Sequence, residues 1–100
     1  MMAWRMFGRK SQTSQKVTTG RFEIERDGQI AFLEYSMTDK VLGLLHTEVP
    51  TALRGLGLAS SLAETALEYA RKNNLKVDVI CPSVLEYIAK HPKYSDLVLR

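Results

Sequence analysis

Near its start the chain alternates apolar and charged side chains. The stretch Phe22–Arg26 has the period of a β-strand with one buried face. Asp27-Gly28 follows it, and an Asp-Gly pair between two such segments is a strong signal for a tight hairpin turn, because both central residues of that turn need a positive φ. The pattern therefore predicts two antiparallel strands that meet at this pair.

Two further apolar segments extend the predicted sheet. Residues 29–36 carry apolar side chains on both faces, which predicts a central strand covered by helices on one side and by another layer on the other. A turn at Thr38-Asp39-Lys40 leads to a third strand, Val41–Val49. Together these segments predict a three-stranded antiparallel meander.

The clearest helix pattern follows a glycine-containing loop. Apolar side chains recur every three or four residues from Leu58 to Ala70, which is typical of a helix with one buried stripe. Asn73-Asn74 is a plausible stop signal, and Leu75–Ile80 then predicts a strand. The last strand is expected to run parallel to the third, and a strand-helix-strand crossover of this length is almost always right-handed.

The end of the chain predicts one more helix and a packed tail. Ser83 and Glu86 have the spacing of a capping box, so a short helix is expected from Val84 to Lys90, with Ser83 as its N-cap. Pro92 ends that helix. The apolar side chains beyond it are expected to fasten the tail to the body: Tyr94, Leu97, Val98 and Leu99.

Length and composition limit the class of protein. One hundred residues make a single domain that can bury a core, and the single cysteine excludes an internal disulfide, which suits a reducing compartment. No apolar run approaches the roughly 18 residues that a membrane span needs. We therefore expect a cytoplasmic protein of one domain, a monomer or a weak dimer, without a membrane partner.

The positive charge is concentrated at one end of the chain. Net charge is +3, and residues 1–22 hold five basic side chains and no acid, whereas the rest holds nine basic and 11 acidic side chains. Residues 1–19 are therefore expected to form a basic, flexible extension, and residues 20–100 the folded domain. Because this extension lacks the interleaved aromatic side chains of a base-stacking surface, nucleic acid is a disfavoured partner.

The stretch between the third strand and the long helix has the residues of an anion cradle. The glycines permit a positive φ, and the helix begins directly after them. The free N–H groups of a helix's first turn and the positive end of its dipole favour a phosphate by about 1 kcal/mol. The cradle is predicted to comprise Arg54, Gly55, Leu56, Gly57, Leu58, Ala59 and Ser60.

Three residues near this cradle are candidates for acid–base chemistry. His46 and Glu48 are two apart on one strand, so their side chains share a face and either can accept a proton. A plain hydrogen-bonded histidine and a solvated acid are the structural alternatives. Cys81 ends the parallel strand just before a helix, where ligands of open α/β sheets bind and where a thiol pKa is lowered. Its role is interpreted as nucleophile, proton donor or small buried wall.

The spacing Arg54-x-x-Gly57-x-Ala59 resembles the coenzyme A loop of the GCN5-related N-acetyltransferases (GNAT). Further spaced motifs extend the resemblance, over residues 22–98, to the small stand-alone YjdJ-like subgroup: His46-Thr47-Glu48-Val49-Pro50, Tyr69-Ala70-Arg71, Cys81 and His91-Pro92-x-Tyr94. The resemblance implies a mixed α/β, minimal GNAT fold, in which the three-stranded meander is followed by a β-loop-α-β crossover to a parallel strand and a short C-terminal helix. It also implies that the third and parallel strands splay apart around acetyl-CoA.

The same resemblance implies an activity. GNAT enzymes transfer acetyl from acetyl-CoA to an amine, so the expected cofactor is acetyl-CoA or CoA, the expected acceptor is a lysine or a small amine, and no metal is expected. The backbone N–H near Val49 would bind the thioester carbonyl. Tyr87, one turn into the last helix, is a candidate to protonate the CoA thiolate, and the alternative is a packing tyrosine with its hydroxyl at the rim. Two alternatives stay open: a CoA-binding module without turnover, and a small interaction domain that works through its basic tail.

Overall fold

A computed structural model of the chain describes residues 3–10 and 18–99. Within these residues it contains a five-stranded sheet whose strands lie side by side in chain order. The strands are β1 (Ala3–Lys10), β2 (Thr18–Arg26), β3 (Gln29–Thr38), β4 (Val41–Glu48) and β5 (Lys76–Val79). The helices are α1 (Leu58–Lys72) and α2 (Pro82–Lys90), with short 3₁₀ turns at Thr51–Leu53 and Pro92–Leu97.

The strand directions confirm the predicted fold class. Strands β1 to β4 are antiparallel to their neighbours, and β5 is parallel to β4 after the crossover through α1. The hairpin turn between β2 and β3 lies where the sequence predicts it, with φ of 53° at Asp27 and 76° at Gly28. Asp39, at the tip of the next turn, also has a positive φ of 56°.

The N-terminal part differs from the expected flexible extension over residues 1–19. Residues 3–10 form β1 and pair along their whole length with β2, which itself begins at Thr18 rather than near residue 20. An added edge strand satisfies the backbone N–H and C=O groups that β2 would otherwise leave unpaired. Residues 1–2 and 11–17 of the expected extension lie outside the described residues.

The core lies on one face of the sheet. Alternate side chains of β2, β3 and β4 are buried there against α1, including Ile24, Leu33 and Leu44, each with no exposed surface. The opposite face carries Glu34 and the half-buried Phe32, and in the described part of the chain no helix packs on it. The expected second covering layer over β3 is not found among the described residues, although Glu23 on this face is only 4% exposed.

Helix α1 ends as the sequence predicts. Asn74 adopts a left-handed φ of 57°, and the N–H of Leu75 donates to the carbonyl of Ala70 at 2.8 Å. The N–H of Asn74 also donates to the carbonyl of Arg71 at 3.3 Å. These two bonds form a Schellman motif, which satisfies the last carbonyls of the helix and directs the chain into β5.

The predicted capping box of α2 is wrong. The helix begins at Pro82 with Cys81 as its N-cap, and Ser83 lies inside the first turn. Proline favours the first helical position because its φ is already helical and its missing N–H is not needed there. Glu86 does not reach back to the helix start, and its carboxylate lies 3.9 Å from the Lys90 ammonium instead.

The tail packs largely as expected. Tyr94 and Leu97 are buried, and Val98 forms a parallel bridge with Val77 on the outer edge of β5. Leu99 is 47% exposed, but its backbone N–H donates to the Val77 carbonyl at 2.8 Å. Of the helices within residues 18–99, neither is long and apolar enough to cross a membrane.

Candidate functional site

Strands β4 and β5 separate halfway along β4. Their parallel pairing joins Val41–Leu44 to Lys76–Val79, whereas β4 continues to Glu48 without a β5 partner. At the point of separation, the N–H groups of Ile80 and Cys81 both donate to the Leu44 carbonyl, at 3.0 and 2.9 Å. The chain then turns into α2. The result is a split in the sheet that is bordered by the second half of β4 and by the start of α2.

An irregularity in β4 lies at the same level as this split. Tyr35 pairs with Leu44 and Glu34 with His46, which leaves Leu45 without a direct partner on β3. An extra residue of this kind is a β-bulge, which bends the strand and changes which face its later side chains occupy. As a consequence, His46 shares the solvated face of the sheet with Glu34, and Thr47 shares the core face with Leu33.

The glycine loop has the backbone that the sequence predicts. Gly55 and Gly57 have φ of 83° and 74°, and Gly57 is the N-cap of α1 without any side-chain capping bond. Within residues 18–99, the backbone N–H groups of residues 55–60 donate to no carbonyl or side-chain acceptor, and the first N–H of α1 that does so belongs to Ser61, bonded to Gly57. Six successive donors are therefore available to a ligand.

A cavity of about 260 Å³ opens beside these donors. Seven of the nine residues that the sequence assigns to cofactor binding line it: Val49, Arg54, Gly55, Gly57, Leu58, Ala59 and Ser60. Leu53 also lines it and was not foreseen, although its position as an apolar residue next to the loop is a signal for such a wall. Leu56 and Tyr87 are not among the lining residues.

Arg54 ties the loop to the end of β4. Its Nε donates to the carbonyl of Val49 at 3.5 Å, across the 3₁₀ turn that joins strand and loop. This contact supports an anchoring role for the guanidinium, which also carries a positive charge at the mouth of the cavity.

Tyr87 lies on α2 in an aromatic stack. Its ring stacks on His91, with 4.0 Å between the centroids, and its centroid is 6.1 Å from that of Tyr94. Burial, together with the charges of Glu64 and Glu68, raises the pKa of the Tyr87 phenol above its ordinary value. The phenol therefore keeps its proton at neutral pH.

His46 and Glu48 form a hydrogen-bonded pair on the solvated face. The distance from His46 Nε2 to Glu48 Oε1 is 2.8 Å, and both side chains are more than half exposed. The hydrogen bond to Glu48 is the main cause that raises the pKa of His46 above its ordinary value, and the nearby Glu34 adds to it. An imidazole with this pKa can accept a proton near neutral pH.

Cys81 is buried in the split, on the other face of β4. It is 2% exposed, and its Sγ lies 3.2 Å from Thr47 Oγ1 and 3.1 Å from Ser83 Oγ. Burial acts to raise the pKa of the thiol. The hydroxyls of Ser83 and Thr47 and the backbone N–H groups at the start of α2 outweigh that effect, so the pKa is lowered overall.

The three predicted catalytic residues thus fall into two groups. His46 and Glu48 are in contact, while Cys81 contacts Thr47, the residue that lies between them in sequence and points to the opposite face. Sequence reasoning missed Thr47 and Ser83 as partners of the thiol. The alternation of β4 gives no signal for Thr47, because the bulge at Leu45 reverses the faces of the residues that follow it.

The chemistry of the site also depends on whether side chains that bind metal ions are clustered there. In the described ranges, no group of three or more His, Cys, Asp or Glu side chains is arranged to hold a metal ion. The polar groups that surround the split and the loop are instead backbone N–H groups, hydroxyls, one thiol and one imidazole–carboxylate pair.

Comparison with known proteins identifies a family with which this chain shares its sequence pattern. The family model described as GCN5-related N-acetyl-transferase matches residues 21–97. The protein NATD1 of Gallus gallus is 35% identical over 66 residues, which are 66% of this chain and 59% of that protein. NATD1 of Danio rerio is 31% identical over 81 residues, which are 79% of this chain and 73% of that protein. The chain thus spans about three fifths of the length of the first of these relatives.

A solved structure has the same fold. A GCN5-like protein from Staphylococcus aureus, determined by NMR in solution, aligns with a TM-score of 0.55 at 22% identity, covering 91% of this chain and 87% of that one. At this identity the likeness concerns the fold, whereas the family is shown by the match over residues 21–97. The chain belongs to the GCN5-related N-acetyltransferase family.

Proposed function

We propose that this domain binds acetyl-CoA through the loop at residues 54–60 and transfers the acetyl group to an amine, either a lysine side chain or a small amine. The observation that carries the proposal is the run of unpaired N–H groups at residues 55–60 beside the cavity. A diphosphate is the chemical group that best matches six adjacent backbone donors at the positive end of a 15-residue helix.

The split between β4 and β5 suits the thioester end of this ligand. Acetyl-CoA supplies an activated acyl group whose carbonyl needs a hydrogen-bond donor as negative charge develops on its oxygen. The N–H at or near Val49, beyond the last residue of β4, is the proposed donor. Tyr87 is protonated at neutral pH like any phenol, and burial raises its pKa further; it is proposed to deliver that proton to the departing CoA thiolate.

His46 is proposed as the base that activates the acceptor. A free lysine amine has a pKa of about 10.4 and must lose a proton before it attacks. Neutral His46 removes that proton directly or through water, and Glu48 then stabilises the imidazolium that forms, since the two side chains are hydrogen-bonded. Cys81 is kept as a third working residue, as acyl-accepting nucleophile or proton donor.

A thermal melt with and without CoA tests the binding step. At a CoA concentration 100 times the dissociation constant, binding stabilises the folded state by about 2.7 kcal/mol, and the melting temperature should rise accordingly. An unchanged melting temperature in millimolar CoA would refute both the enzyme and the binding module. Given a rise, release of CoA from acetyl-CoA that depends on an added amine separates the enzyme from the module.

The loop glycines permit a matched control for this melt. Gly57 and Gly28 have nearly equal φ, 74° and 76°, and a Cβ at either position would meet no atom within 4 Å. Gly57→Ala and Gly28→Ala should therefore each destabilise the domain by roughly 1–2 kcal/mol, because an L residue is strained at this φ. Only Gly57→Ala should also reduce the CoA-induced rise in melting temperature, because it alters the loop. Equal rises in the two variants would contradict the assignment of the loop.

The acid limb of the pH–rate profile tests the base. Since neutral His46 is the active form, kcat/KM should increase as pH rises through the His46 pKa, which Glu48 raises above 6.5. Glu48→Gln removes the charge and should move this limb to lower pH. Glu34→Gln is the comparison, since Glu34 acts on His46 without a hydrogen bond and its loss should move the limb less. A limb that stays in place in Glu48→Gln would exclude His46 as the titrating group.

A further inference from the structure

Two hydroxyl groups from separate elements converge on the Cys81 sulfur. Thr47 belongs to β4 and Ser83 to the first turn of α2, and their oxygens lie 3.2 and 3.1 Å from Sγ. These are the two elements that border the split in the sheet. The thiol is therefore held between the two sides of the opening rather than within a continuous apolar core.

The fold alone does not account for this arrangement. A neutral thiol is both a weak hydrogen-bond donor and a weak acceptor, so its contacts with the two hydroxyls add little to the stability of the folded state, whichever atom donates. Ser83 does not cap α2, which begins at Pro82 with Cys81 in the N-cap position. A thiolate, in contrast, is a charged acceptor that two hydroxyl donors stabilise strongly.

The other neighbours of the sulfur carry little charge. On α2 they are Ser83 and Val84, whose backbone N–H groups also favour the charged sulfur. On β4 the titratable side chain that interacts with Cys81 electrostatically is His46, which lies on the opposite face. Burial of Cys81 acts against the charge, so the hydrogen-bond donors are what allow a thiolate at this place.

We infer that Thr47 and Ser83 are positioning residues that hold the Cys81 sulfur at the split between β4 and β5 and stabilise it as a thiolate. The role of this thiolate rests on the proposed function, because the split is where the thioester of acetyl-CoA is proposed to lie. The two residues act through Cys81 and need not touch a substrate themselves. Their effect on the sulfur is a property of the protein without ligand, so it can be measured separately from any activity.

A thiolate titration of the full chain tests the inference. Cys81 is the single cysteine, so the ultraviolet absorbance of the thiolate, taken as the difference from the Cys81→Ala variant, reports this residue alone. Thr47→Val and Ser83→Ala each remove one hydroxyl with little change in volume. Each should leave about tenfold less thiolate at a given pH than the unaltered chain. Thr47→Ser and Ser83→Thr keep the hydroxyl and should restore the thiolate.

Thermal melts of the same variants exclude a loss of folding as the cause. Titrations of Thr47→Val and Ser83→Ala that coincide with that of the unaltered chain would overturn the inference, as would hydroxyl-keeping variants that behave like the hydroxyl-free ones. A shifted titration together with no response of the domain to CoA would support the positioning role and refute the proposed function. A shifted titration with CoA-dependent turnover that falls in parallel would support both.

Discussion

Replacing His46 with glutamine should lower kcat for amine acetylation by a factor of about 10²–10⁴, which is the usual contribution of a general base. Glutamine is uncharged and cannot accept a proton at neutral pH, although it can still form a hydrogen bond with Glu48. The melting-temperature rise caused by CoA should persist, because His46 does not line the cavity at the loop. The measurement is kcat from amine-dependent CoA release, paired with a melt in CoA.

The second histidine provides the control. His91 caps the end of α2, where its Nδ1 lies 2.9 Å from the Tyr87 carbonyl, and it lies far from His46 in sequence. His91 contacts Tyr87 but is not the proposed base, so His91→Gln should lower kcat far less than His46→Gln does. If both histidine variants lost the same activity, or if His46→Gln kept full activity, the assignment of His46 as the base would be wrong.

The largest expected loss of stability comes from Tyr94. Its side chain has no exposed surface, and its hydroxyl donates to Glu68 Oε2. By analogy with other buried aromatic residues, Tyr94→Ala should lower the free energy of unfolding by about 3–5 kcal/mol. In a domain of this size each kcal/mol corresponds to a fall of about 4–8 °C in melting temperature. The measurement is thermal or urea unfolding of the two proteins.

Tyr94→Phe separates the ring from the hydroxyl. Phenylalanine keeps the buried ring, and Glu68 is exposed enough to be solvated once the hydroxyl is lost, so the cost should be only about 1 kcal/mol. Burial, followed by the hydrogen bond to Glu68, raises the pKa of Tyr94. The unfolded chain therefore loses this proton at lower pH than the folded chain, and stability should fall above pH of about 10, more steeply than in Tyr94→Phe. Equal costs for the two substitutions would show that packing of the ring is not what Tyr94 contributes.

Local signals in the sequence were sufficient to predict most of the strands, helices and turns. The turn at Asp27-Gly28 and the end of α1 at Asn73-Asn74 require backbone conformations that few residues adopt, so the sequence indicates them directly. The positive φ at Gly55 and Gly57 was predictable for the same reason. Backbone conformations that depend on the residue itself can therefore be predicted from the sequence alone.

Features that depend on a partner elsewhere in the chain were not predictable in this way. Strand β1 forms because β2 offers it an edge, and its own basic residues suggested an extension. The bulge at Leu45 depends on how β4 pairs with β3. Helix α2 begins at Pro82 although the sequence offered Ser83 as an equally plausible N-cap. The separation of His46 from Cys81 follows from the bulge, so it was hidden for the same reason.

The side-by-side order of the strands has a consequence for how the domain folds. Hairpins between neighbouring strands close short loops, which costs little entropy and happens early. The parallel pairing of β5 with β4 closes a longer loop that includes α1, so we expect it to form later than the hairpins. The split beside Cys81 depends on this less local pairing, so we expect the proposed site to form only when most of the sheet is already in place.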